Sequence, residues 1–311
     1  MKNLLLILFL LFLNRKAFSL VDYTDDDQRS FKPRKARAAA PARKSVKSVA
    51  APQARSKGSS SSVLSMMDFS TEYKSTGLDL NTGRATVSTL AFNGHIKTPY
   101  NLFIDFSYGM HSSDNDYLAH TGQYQSGNPE ISIGLNWLTF GSRADLTTID
   151  FIAGYRFAEE DSSFATSRDD KIIALETTKR FHSFVLGLGY KVDLTGAPSI
   201  ESEQDIGNIS RVYAKLGLEV SADIKFLVEA QKVTISENSI STHSLALQED
   251  KSFGIISPSL ILGLTPMINM RLGGVFRTKR LENIDALTSA RLYTVDGIYG
   301  NSLVAGLNIN L

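Results

Sequence analysis

The chain has no cysteine. This excludes disulfide staples, thiol nucleophiles, cysteine-ligated zinc and thiol redox switching, and it suits an exported chain that needs no disulfide. Long apolar runs are also missing. Outside residues 4–13, none approaches the ~18 residues of a helical membrane span. Mean hydropathy is near neutral, at −0.08, as expected when alternate residues are polar. There is no Walker motif and no GxGxxG fingerprint. His95, His120, His182 and His243 are scattered and suggest no metal site. No cofactor is expected.

The front end carries an export signal. Lys2 gives a short basic start, Leu4–Leu13 is an unbroken apolar run too short to span a bilayer, and Ala17-Phe18-Ser19 approximates a small-x-small cleavage site. Residues 1–19 therefore read as a signal peptide cut after Ser19. No cysteine follows, which excludes lipoprotein processing.

Residues 20–65 differ from everything after them. Asp22, Asp25, Asp26 and Asp27 come first. Lys32, Arg34, Lys35, Arg37, Arg43, Lys44, Lys47, Arg55 and Lys57 then follow among Ala, Pro and Ser, with no acid from Lys32 to Ser62. Few apolar groups, repeated charge and Pro33, Pro41 and Pro52 leave nothing to offset chain entropy, so a disordered segment is expected. The near-zero formal net charge of +1 hides an asymmetry: this tail has ten bases against four acids, the rest of the mature chain twenty against twenty-eight. Three roles stay open for the tail: contact with peptidoglycan or lipid head groups, occupancy of an acidic mouth, or a solvated spacer. A nucleic-acid partner is not expected of an exported chain.

From residue 66 the dominant signal is a period of two. Phe184, Leu186, Leu188, Tyr190, Val192 and Leu194 are apolar, with Val185, Gly187, Gly189, Lys191 and Asp193 between them. Leu303, Ala305, Leu307, Ile309 and Leu311 repeat the beat. Such alternation means strands with one greasy and one wet face. About twelve are predicted: Met67–Leu80, Arg84–Phe92, Tyr100–Met110, Glu130–Phe140, Ala144–Phe157, Lys171–Thr178, Phe184–Leu194, Ile209–Ser221, Asp223–Val233, Phe253–Leu264, Met267–Arg277 and Tyr299–Leu311. Their connections alternate short and long, except for the short first hairpin at Asn81-Thr82-Gly83. Leu281–Leu292 reads equally as a loop helix or an extra hairpin.

The expected fold is thus all-β, an antiparallel up-and-down transmembrane barrel over residues 66–311 behind a disordered tail. A soluble sandwich would also alternate, but it needs neither the export signal nor the two-sided loop pattern. Leu102, Ile104, Phe106, Trp137, Leu186, Leu188, Leu216, Leu218, Phe226, Met270 and Leu272 are assigned to lipid. Tyr100, Tyr108, Trp137, Tyr155, Phe157, Tyr190 and Tyr299 fall near strand ends, where aromatic girdles form. The opposite faces carry Asp105, Asp150, Arg156, Glu176, Lys191, Asp193, Arg211, Lys215, Glu219, Lys225, Glu229, Arg271 and Arg277. Buried charges of both signs imply cross-strand pairs. Inward glycines such as Gly134, Gly187 and Gly189 make room for long side chains or for a path.

Over the signal and residues 66–311 the chain resembles bacterial outer-membrane β-barrel proteins. Gly306, Ile309 and Leu311 resemble the terminal insertion signal of that class, although Leu311 stands where an aromatic residue is usual. The resemblance implies outer-membrane lipid and the barrel-assembly machinery as partners, and places both the tail and the C-terminus in the periplasm. Two functions compete: a narrow channel for small polar solutes lined by mixed charges, and a closed structural or interaction barrel with its tail on the cell wall. A third is lipid hydrolysis. His111 and Ser113 have the His-x-Ser spacing of outer-membrane phospholipases and lipid A deacylases, but Asp114-Asn115 follows where Asn-Gly is usual and no orienting partner is evident. No catalytic residue is assigned. The acidic loops around Glu159, Glu160, Asp161, Asp169 and Asp170, and around Glu201, Glu203 and Asp205, offer oxygen donors of the kind Ca²⁺ takes, though acidic surface loops usually bind nothing specific.

Overall fold

The computed structural model describes residues 66–80, 83–115, 122–142, 145–238, 245–279, 281 and 287–311. The expected signal peptide (1–19) and basic segment (20–65) lie outside the described residues.

Alternation of large apolar and small or polar residues produces long antiparallel strands. They are β1 (Met66–Leu80), β2 (Gly83–Lys97), β3 (Leu102–Ser113), the two-residue β4 (Gln125–Ser126), β5 (Glu130–Ser142), β6 (Asp145–Arg156), β7 (Asp170–Phe181), β8 (Phe184–Thr195), β9 (Ile209–Ser221), β10 (Ile224–Ile235), β11 (Lys251–Thr265), β12 (Ile268–Arg277) and β13 (Ser302–Asn310). Each long strand pairs with its neighbours in sequence, and β1 pairs with β13 from Asp68↔Asn310 to Thr76↔Ser302. The twelve long strands therefore close into a barrel and leave no free sheet edge. β4 extends the β3 ladder beyond β5, and the Gly127 amide donates to the Gly109 carbonyl at 2.8 Å across the interruption. Pro129, with no N–H to give, stands just before β5.

The period of two sorts the two surfaces. Outward positions are exposed and apolar: Leu102, Ile104, Phe106, Leu186, Leu216, Phe226 and Leu272 are exposed, and Trp137 and Leu188 reach 63% and 62%. Leu218 and Met270 share that face and are half-buried. A continuous apolar belt of this extent needs lipid, because soluble monomers rarely expose patches beyond a few hundred Å².

The inside is divided. Toward the end bearing the long loops, it holds an apolar core. Wall residues Leu78, Val87, Ile209, Val233, Ile235, Phe253, Ile255 and Val275 pack with Phe164, Ile206 and Leu247 from the loops. The β12–β13 connection completes this core by folding back into the barrel, burying Leu287, Leu292, Tyr293, Val295, Ile298 and Tyr299. Toward the end bearing the short turns, the interior is polar.

Several boundaries differ from the sequence-based expectation. β2 runs five residues past Phe92 because His95 and Lys97 continue the ladder to β3, and β3 starts at Leu102 after a turn in which Asn101 adopts φ 61°. β7 extends to Phe181 and β11 begins at Lys251. The last strand begins at Ser302, not Tyr299. Tyr299, expected in an aromatic girdle, is instead 4% exposed inside the barrel, because its segment is part of the infolded loop. The part of Leu281–Leu292 among the described residues forms turns and one helical turn at Leu287 and Thr288, with no strand.

Candidate functional site in the barrel interior

Cross-strand register brings inward charges together. Arg156 at the end of β6 donates to Glu130 Oε2 on β5 at 2.8 Å, to Asp170 Oδ2 on β7 at 2.9 Å and to Asp193 Oδ2 on β8 at 3.1 Å. Arg211 on β9 takes the other side of Asp193 with bonds of 3.0 and 2.9 Å, and Lys191 meets Glu130 Oε1 at 3.2 Å. Arg168, fully buried, adds a bond to Asp170 at 3.1 Å and faces Glu203 at 3.7 Å. Planar guanidinium forks suit such shared carboxylates, and the shared bonds of Arg156 and Arg211 to Asp193 make its burial tolerable.

A second group lies along β7, β9 and β10. Tyr213 donates to Glu176, and Lys215 stands 3.8 Å from both Glu176 and Glu229. Gly189 makes this possible: a β-carbon there would run into the Tyr213 ring. Gly187 and Gly134 lie in the same way beneath Lys215 and Phe103. Nearer the turns, Glu219 meets Arg180 at 3.2 Å and Lys225 at 3.7 Å, while Asn136 donates to Asp150 at 2.6 Å. Arg271 bonds Glu72 across the β12–β13–β1 seam at 2.8 Å. Arg277 sits at the loop end, where its guanidinium donates to the Ile298 carbonyl at 2.8 Å. Of the thirteen charges assigned inward, Arg277 thus holds the infolded loop, and Asp105 belongs to the cavity described next.

On the β13–β1–β2–β3–β5 wall the interior opens into a cavity of about 350 Å³. Register places Asp68, His95, Asp105 and Ser132 in one row across four strands, and Asn308, Ser70, Asn93, Ser107 and Glu130 in the next. His95 Nδ1 and Asp105 Oδ1 are 2.6 Å apart, and the imidazole packs on Phe103 at 5.3 Å between centroids.

The infolded loop fills the interior toward the long-loop end. Between the loop and the wall lies a small cavity of about 20 Å³, lined by residues such as Lys74, Thr89 and Tyr293. Gly297 adopts φ +72° with a β-carbon position 2.9 Å from the Ile255 side chain, so glycine is required there twice over. The Tyr299 hydroxyl donates to the Leu287 carbonyl at 2.9 Å and accepts the Leu292 amide at 2.8 Å. Burial pushes the Tyr299 phenol well above its usual range, with Tyr293 adding to the effect. Asp296 at the tip meets Lys74 of β1 at 2.7 Å. Burial alone would raise the Asp296 carboxyl, but the Lys74 ammonium, helped by Arg211 and Arg271, holds it below the usual carboxylate range.

His111 and Ser113 both point into this core. His111 bonds Thr89 Oγ1 at 2.9 Å and lies against Phe164 and Tyr293, while Ser113 Oγ accepts the Asn115 amide at 3.0 Å. A lipid-facing His-x-Ser pair is not formed. Three carboxylates of the acidic loops take protein donors: Glu160 accepts from Ser199 at 2.6 Å, Asp169 from the Ala158 amide at 2.8 Å, and Glu203 from the Ser167 amide at 2.9 Å. Among the described residues no group of three or more His, Asp or Glu is arranged to hold a metal ion. At the chain end, Gly306 lies against Glu72, Ile309 and Leu311 are exposed on the outer side, and the Leu311 amide donates to the Met67 carbonyl at 2.7 Å.

No family model and no curated protein matches the sequence. Solved structures do match the fold. An outer membrane channel from Pseudomonas putida F1 has a TM-score of 0.58 at 9% identity, over 79% of this chain and 95% of that one. A NanC porin gives 0.48 at 11% identity over 79% and 100%. An outer membrane phospholipase A from Escherichia coli gives 0.41 at 10% identity over 78% and 90%. Closed ring, apolar belt and polar interior together give this chain the fold of the bacterial outer-membrane β-barrel class.

Proposed function

We propose that the protein is a narrow outer-membrane channel for small polar solutes, held shut in this conformation by the β12–β13 loop. The observation that carries the reading is a polar cavity of about 350 Å³ in a barrel whose interior toward the long loops is filled by an infolded loop. A barrel that only needed filling would have no use for an open, charged space on one side of an apolar plug. Charges of both signs line the remaining interior, so strong selection by ion sign is not expected. The P. putida fold relative, itself an outer membrane channel, is consistent with this role. In this reading the termini and short turns face the periplasm and the long loops face outward, the usual sense of such barrels.

The apolar core around the loop favours a second reading, a permanently closed barrel. Single-channel recording in planar bilayers separates the two. Replacing residues 279–299 by a short Gly/Ser linker should convert rare or absent conductance steps into sustained ones. If the loop-deleted barrel, shown to be folded, stays silent, the channel reading fails. Hydrolysis is not proposed, since His111 and Ser113 face inward.

A further inference from the structure

The polar cavity has uncommitted hydrogen-bonding capacity, and two of its acceptors stand out. No Lys or Arg lines it, and the nearby Arg156 and Lys191 are held by Glu130, Arg156 also serving Asp170 and Asp193. One amide hydrogen of Asn93 goes to Ser70 Oγ at 3.3 Å, and the Ser132 hydroxyl is turned to Asp105 at 3.5 Å. The acceptors are different. Asp68 has no hydrogen bond or ion pair among the described residues. Asn308 Oδ1, on the neighbouring strand, is buried and has no partner. His95 stands between Asp68 and Asp105 in register and can neutralise only one of these two carboxylates. Lys97, two residue pairs toward the rim, is engaged in an interaction of its own.

A buried acceptor without a donor costs free energy, and a carboxylate without a counter-charge costs more. We propose that this cavity is a binding site for a small organic cation, an ammonium or guanidinium group. Asp68 supplies the counter-charge and Asn308 Oδ1 accepts one N–H. The carbonyl oxygen sits one row above the carboxylate, on the strand beside it, so two donors on one planar or tetrahedral head can reach both. The proposal rests on the channel reading for its physiological sense, since the cation would be a solute on its path. The site itself requires no conduction.

The test is binding to the full-length chain in a neutral detergent, read by calorimetry or saturation-transfer NMR. The probes are propylguanidinium and propylammonium, with propionate and glycerol as comparisons of similar size. The parent should bind the two cations in preference to propionate and glycerol. Asp68→Asn should weaken the cations at least about tenfold, as expected on losing a charge-assisted bond. Asn308→Leu, which removes the acceptor without touching the charge, should weaken them by a smaller factor. Glu249→Gln, on an exposed loop, should change nothing. Equal affinity in folded Asp68→Asn, preference for propionate or glycerol, or no cation binding to the parent would each overturn the site. If Asp68→Asn does not fold, Asn308→Leu decides alone. Cation binding by a barrel that never conducts would sink the channel and leave the site. Conduction without cation binding would do the reverse.

Discussion

At the scale of single residues, the interior works through shared partners. Asp193 is fully buried between Arg156 and Arg211. Removing one member of such a set leaves the others charged and unpaired, at a cost of about 3–5 kcal/mol. Asp193→Ala should therefore lower the urea midpoint of the vesicle-refolded barrel by that equivalent, while Glu249→Ala, at an exposed pair, leaves it unchanged. The outer face obeys the opposite rule. Leu188 is 62% exposed and belongs to the apolar belt, so Leu188→Arg should cost about 2–4 kcal/mol if it lies near the bilayer midplane. The same equilibrium refolding experiment reads both, and a cheap Leu188→Arg would dispute the lipid face.

At the scale of elements, the β12–β13 loop carries the sharpest expectations. Tyr299→Phe takes away the acceptor of a buried Leu292 amide, a loss of about 1–3 kcal/mol. It should speed hydrogen exchange across residues 287–299 and leave the strands protected. Acid should loosen the same loop. The Asp296 carboxyl is held below its ordinary range of ~3.9, so its bond to Lys74 is complete at neutral pH and fades as pH falls through the depressed value. Exchange in the loop tip should rise only at the acid end of the titration, and Asp296→Asn should remove that step. This loop is also where sequence reading fell short. Strand periodicity was legible because each position answers to its nearest neighbours, alternately lipid and interior. Leu287, Leu292, Val295 and Ile298 follow neither period of two nor a sustained helical period, since they bury themselves against Ile255, Val233 and Phe253 from distant strands. No local pattern encodes that. Tyr299 misled for the same reason: an aromatic at a strand end is equally at home in a girdle or in a core. The inward charges were readable as a set, but which carboxylate each guanidinium shares depends on register, and the unpaired state of Asp68 depends on it too.

At the scale of the whole molecule, closure depends on one seam. β1 meets β13 over nine residue pairs, so the first and last strands are partners across nearly the full length of the barrel. Deleting Ser302–Leu311 would leave β1 and β12 as free edges. The expected result is aggregated chain with no compact, heat-modifiable band on a gel, whereas point changes inside the lumen keep that band. The same seam has a consequence for engineering. Met67 and Leu311 are already joined by two backbone hydrogen bonds of 3.1 and 2.7 Å. The ring therefore has no preferred starting point. A chain cut open in the β10–β11 loop and spliced from residue 311 to residue 66 through a few flexible residues would keep every strand pair, and its termini would then emerge among the long loops, where a tag or a displayed peptide could be attached.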